Sequence, residues 1–190
     1  MRLASLIMLF VFVSCSNMPS MKDPLTAVSE KPVETLAYSK EDLPTSYHQL
    51  IKTEGNISQL TEAFKGAKDN PGFRFSLAVI IYEKTSMEMS EQIQTEAQTF
   101  FQLALQDEHE WVKSKAAWGL SRVGTMNDFA SLIQVMQSGD EWMQQDVHAA
   151  LSFIRARSTD GQARRPASSD ENMSFHDTAY WTRWWKKNAK

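Results

Sequence analysis

The stretch EWVKSKAAWGLSRV, Glu110 to Val123, decides how the chain folds. At about 100° per residue, Val112, Ala116, Leu120 and Val123 fall on one stripe, the core-facing side of an amphipathic helix. Trp111, Lys115, Trp118 and Arg122 fall on a second stripe, about 110° further around. A helix lying on a core needs one apolar stripe. Two tryptophans and two cations on another side demand a second neighbour, either a further helix or a partner molecule.

Working outward, the stretch has copies. Shifted by 31 residues it lies over EWMQQDVHAALSFI, so that Glu110 meets Glu141, Trp111 meets Trp142, Leu120 meets Leu151 and Val123 meets Ile154. A shift of 39 the other way lays VKSKAAWGL over FRFSLAVII, with Phe73 on Val112 and Arg74 on Lys113. Between these helices lie further apolar series at helical spacing: Ile57, Leu60, Phe64; Ile93, Ala97, Phe100, Phe101, Ala104; and Phe129, Leu132, Ile133, Met136. Glycine is sparse, with 7 in the chain, and no strand alternation stands out. The pattern predicts an all-α body of six helices in three hairpins, and units repeated at such periods stack into a solenoid.

The second helix of each pair resembles that of HEAT repeats, in the short form named for phycobilisome lyases. The matching positions are Val112, Lys113, Ala116, Ala117, Leu120, Val123 and Gly124. The resemblance spans about Ile57 to Ala156 and is sharpest in the middle repeat. The first repeat lacks the alanine pair, and the third has Gln144 where a basic residue is expected. It implies a short α-solenoid of about three HEAT-like hairpins over residues 46–156. AQTFFQLALQDEHEW also has alanine and aromatic spacings like those of tetratricopeptide repeats, the rival reading.

In a solenoid the second stripe meets the neighbouring repeats. The offsets then bring Lys115 to Asp146, Arg122 between Glu83 and Phe153, and Trp118 between Val79 and the small Ala149. Large against small and plus against minus favour packing. The competing reading makes Trp111, Lys115, Trp118, Arg122 and Trp142 the partner-binding residues.

The chain has 190 residues, 42% hydrophobic and 23% charged, enough for one domain with tails. A net charge of -3 excludes a general nucleic-acid binder, which needs a basic excess. No glycine-rich phosphate loop or serine elbow occurs, and His48, His109, His148 and His176 are scattered. The EHE run at Glu108–Glu110 does not make a ligand set, because successive helical residues point apart. The expectation is no catalysis, no metal and no cofactor.

The N-terminus points to a location. Leu3 to Val13 is an apolar run too short for a bilayer, which needs roughly 20 residues, and suits a signal-peptide core over residues 1–14. Its end, FVSCSN, resembles the lipobox of bacterial lipoproteins, with Cys15 the only cysteine in the chain. The resemblance implies cleavage before Cys15 and acylation (palmitate among the chains) of its sulfur and amino group. Each buried methylene then adds about 0.8 kcal/mol of membrane attachment. Ser16 at the next position implies, for a Gram-negative source, the periplasmic face of the outer membrane. Residues 15–45 hold Pro19, Pro24, Pro32 and Pro44 without sustained periodicity, and read as a flexible tether.

Helix starts are expected at SYHQ, TSME, DEHE and SGDE, from Ser46, Thr85, Asp107 and Ser138, and at Asn70–Pro71. A polar, breaker-rich loop is expected over 157–176. A last helix over 177–190 carries Trp181, Trp184 and Trp185 at i, i+3 and i+4, as a cap on the stack or, with its lysines, a membrane contact. Together these features describe a lipid-anchored, non-catalytic repeat module binding another envelope protein. The alternative is an accessory subunit of an envelope enzyme, or a weak enzyme itself.

Overall fold

The structure is a computed structural model that describes residues 23–35, 39–85, 90–158 and 177–188. The expected signal peptide, Cys15 and nearly all of the 157–176 loop lie outside the described residues.

The described chain is all-α and solenoid-like. Three hairpins form its body: α3 (Ile57–Gly66) with α4 (Pro71–Lys84), α5 (Glu91–Ala104) with α6 (Glu110–Val123), and α7 (Phe129–Ser138) with α8 (Glu141–Ser158). Helices α4, α6 and α8 lie side by side in one row, and α3 packs on α5 in the other. The starts of α6 and α8 keep the 31-residue offset read from the sequence. Leu77, Ile80, Phe100, Phe101, Val112, Leu120, Leu132, Met143 and Leu151 form the buried seam between the rows.

Local chemistry explains the hairpins. Asn70 accepts the Phe73 amide at 2.9 Å, with Pro71 opening α4, the expected cap. Gly119 lets α5 and α6 approach closely: a Cβ there would stand 2.4 Å from the Phe101 ring. Other starts differ from expectation. Thr85 ends α4, and α5 is capped by Ser90, which accepts the Ile93 amide. Pro44 and His109 occupy the N-cap positions of α2 (Thr45–Lys52) and α6 without a side-chain cap. A reciprocal capping box forms where none was read, between Thr125 and Asp128 in the 3-10 turn that leads into α7.

The tether reading of residues 15–45 is corrected over its described part. Helix α1 (Pro24–Glu30) is capped by Asp23 and buries Val28. It packs on α2 and α4. The chain then crosses α4: the Val33 amide donates to Ser76 Oγ at 2.8 Å, and Tyr47 Oη lies 2.9 Å from the same oxygen. This layer closes the first end of the row, and with α3, α5 and α6 also packed on it nearly all of α4 is buried. About two turns with three apolar residues, Leu25, Ala27 and Val28, are too short to show periodicity, which is why composition hid the helix.

At the other end α9 (Thr178–Asn188) packs on α7. Trp181 is 0% exposed, while Trp184 and Trp185 are half-buried against the core. The expected cap therefore exists, carried chiefly by one of the three indoles. Helix α8 runs to Ser158, so the expected loop does not begin at residue 157.

Candidate functional site

The α6 stripe lies in the row formed by α4, α6 and α8. Trp111 stands edge-on to Phe75 of α4, with ring centroids 5.9 Å apart, and edge-on to His109 at 5.7 Å. Lys115 is buried, its ammonium 4.7 Å from the centre of the Tyr82 ring. Burial pushes its pKa down to about 8, against the attraction of Glu83 and Asp146. The expected meeting of Lys115 with Asp146 is thus one side of a position between two acids.

Arg122 meets α4 one residue earlier than the offset predicted. Its guanidinium stacks 3.5 Å from the Tyr82 ring centre and donates to the Tyr82 carbonyl at 2.7 Å. Glu83 pairs with Lys40 at 3.4 Å. Trp118 reaches α8 by a hydrogen bond: its indole N–H donates to Asp146 at 3.0 Å, and Ser114 donates to the same carboxylate. Trp142 is half-buried against the core. The structure thus brings Lys115, Trp118 and Arg122 together through Tyr82 and Asp146. It puts Trp111 and Trp142 at the starts of their own helices.

Two polar anchors were missed by sequence reasoning. Arg74 forms a buried bidentate pair with Asp107, at 2.7 and 3.0 Å, and caps the Ala67 carbonyl at 2.9 Å. Its alignment with Lys113 marked it as basic but gave no reason for burial. Asp107, read as a cap for α6, is this partner, and it also accepts the His109 amide just before that helix at 2.8 Å. Asp128 is buried and receives the side-chain amides of Gln98 at 2.8 Å and Gln102 at 2.7 Å, tying α5 to the turn before α7.

A cavity of about 500 Å³ opens beside the C-terminal end of α6, lined by Arg122, Thr125, Met126, Ile154 and Arg157 among others. Its cations are already engaged. Arg157 donates to the carbonyls of Ser121, Leu120 and Gly124, satisfying the open end of α6.

Exposure changes along the row. One repeat position is filled in turn by Glu83, Arg122 and Phe153. Glu83 is nearly covered, with 11% of its side chain exposed, and Arg122 is half-buried on Tyr82. Phe153 is 52% exposed. The open part of the row is therefore the outer face of α8 at Phe153, one turn beyond the half-buried Ala149 and two beyond Asp146, which is bonded to α6.

Among the described residues no group of three or more His, Cys, Asp or Glu side chains could hold a metal ion. No described helix is long and apolar enough to cross a membrane. Compared with protein-family models, curated proteins and solved structures, the chain finds no significant match.

Proposed function

We propose that the chain is a lipid-anchored, non-catalytic repeat module of the HEAT-like kind, and that it binds another protein of the bacterial envelope through the outer face of α8. The observation that carries this reading is the exposure of Phe153 at a position whose counterparts, Glu83 and Arg122, are packed. An exposed phenylalanine suits a protein contact, where aromatic residues supply much of the binding energy. Repeat stacks offer such faces by construction. The anchor rests on the sequence alone, through Cys15 and the apolar run before it. If the partner is an enzyme, the module is its accessory subunit.

A photo-crosslinking residue at position 153, compared with one at Thr99 on the exposed face of α5, tests the binding face in intact cells. The reading predicts one predominant adduct from position 153, none from 99, and loss of the partner from Phe153→Asp at unchanged melting temperature. Equal or absent labelling at both positions contradicts it. Separately, Cys15→Ala should release the protein from membranes or leave it as precursor. Membrane retention at unchanged mass contradicts the anchor.

A further inference from the structure

We propose that α9 is a proton-released cap: protonation of His148 breaks its hydrogen bond to Trp181 and frees the helix from the end of the stack. The indole nitrogen of Trp181 can only donate. It lies 3.1 Å from His148 Nδ1, so that nitrogen must accept and the imidazole must be neutral, with its proton on Nε2. Trp181 is 0% exposed and His148 9% exposed, their rings edge-on at 5.4 Å. A second proton on His148 would turn Nδ1 into a donor facing a donor. Two N–H groups and a new charge would then share a site closed to water, which is costly on both counts.

The described elements around His148 carry the following charged groups. Helix α7 presents no titratable side chain. The turn before it contributes Asp128, which is held by Gln98 and Gln102. Helix α6 carries Glu110 and Lys113 in its first turns, and Lys115 and Arg122, which lie over Tyr82 of α4. On α8 itself, Asp146 accepts from Trp118 and Ser114, and Arg155 donates to Tyr180 Oη at 2.6 Å. Beyond Tyr180, α9 offers Arg183, Lys186 and Lys187, all cationic, with Asp177 capping its first turn by accepting the Tyr180 amide at 2.7 Å. Burial lowers the imidazole pKa.

Other ties of α9 are insensitive to mild acid. Trp184 stacks on Phe129 at 5.2 Å and lies 5.2 Å from the Arg155 guanidinium. When α9 lifts, His148 regains an ordinary pKa of about 6.5. Below that pH the open state takes up a proton that the closed state refuses. The opening constant then grows by up to about tenfold per pH unit, until the closed state's lower pKa is reached. What opens is the apolar end of α7, with Phe129 at its centre.

Hydrogen exchange on the full chain, between pH 7.5 and 5.5 and corrected for intrinsic rates, tests this. The proposal predicts that α9 loses protection by up to about tenfold per unit below 6.5 while α6 keeps its own. His148→Gln retains an acceptor that does not titrate, so it should remove the acid response of α9. Should that variant fail to fold, the imidazole proton resonance of the unaltered chain reads the same claim and should titrate below 6.5. Parallel loss in α9 and α6, an unchanged response in His148→Gln, or a His148 pKa at or above 6.5 would overturn the proposal.

Discussion

Asp146 of α8 accepts the indole N–H of Trp118 of α6 at 3.0 Å, across the boundary between two repeats. Ser114, one turn before Trp118, donates to the same carboxylate. One acid thus collects two donors from the neighbouring helix and has Lys115 nearby. The side of α6 that a lone amphipathic helix would turn to water is here bonded to its neighbours, with Phe75 and Tyr82 on the α4 side and Asp146 on the α8 side.

Gly119→Ala should destabilise the body by about 1–3 kcal/mol, the usual cost of overpacking. Its added methyl would meet the Phe101 ring at 2.4 Å, and that ring is fully buried. Chemical denaturation measures the loss. In an isolated α6 peptide the same change should raise helicity, because alanine is the better helix former. The opposite signs identify packing as the cause.

Arg74→Met should cost about 3–5 kcal/mol, since it strands the buried Asp107 carboxylate. Arg74→Met with Asp107→Leu should recover part of that loss, because a matched apolar pair leaves no buried charge. Thermal melts of the single and double variants decide. A double variant less stable than Arg74→Met would show that Asp107 matters mainly through the His109 amide it accepts at 2.8 Å.

Lys115 gives a pH dependence of defined sign. Burial lowers its folded pKa from 10.5 to about 8. Between those values the unfolded chain holds a proton that the folded chain has released, so stability rises with pH in that window. Below pH 8 both states are charged, and the cost of burying the ammonium is borne in full. Equilibrium unfolding from pH 7.5 to 9.5 should therefore show stability increasing. Lys115→Met should flatten that rise. A flat profile in the unaltered chain would place the ammonium in water.

The hairpins were legible because each helix repeats its apolar residues over about two turns or more, and Glu110-Trp111 and Glu141-Trp142 mark the same register. The second stripe was legible as a stripe, and one neighbour was predicted to within a residue: Arg122 was assigned to Glu83 and stacks on Tyr82, whereas Trp118, assigned to Val79 and Ala149, bonds Asp146 instead. Helix α1 was not legible, since its burial rests on Val28 and on a layer of chain that crosses α4. Nor was the Arg74–Asp107 pair, whose members are 33 residues apart. Asp107 begins a DEHE run that also reads as a helix start, and local sequence cannot rank a cap against a distant guanidinium. The Trp181–His148 bond spans the same separation and was hidden for the same reason, although the i, i+3, i+4 tryptophans did predict a capping helix.

The central claim is that the second stripe of α6 is bonded between repeats. The most direct test is a thermodynamic double-mutant cycle on Trp118→Phe and Asp146→Ala, read by denaturant unfolding. The account predicts a coupling of about 1–2 kcal/mol, within the range for residues in one hydrogen-bond network. A coupling near zero, with each single change harmless, would contradict it. Trp118 would then be free to serve as contact surface, and the row of α4, α6 and α8 would need another source of register.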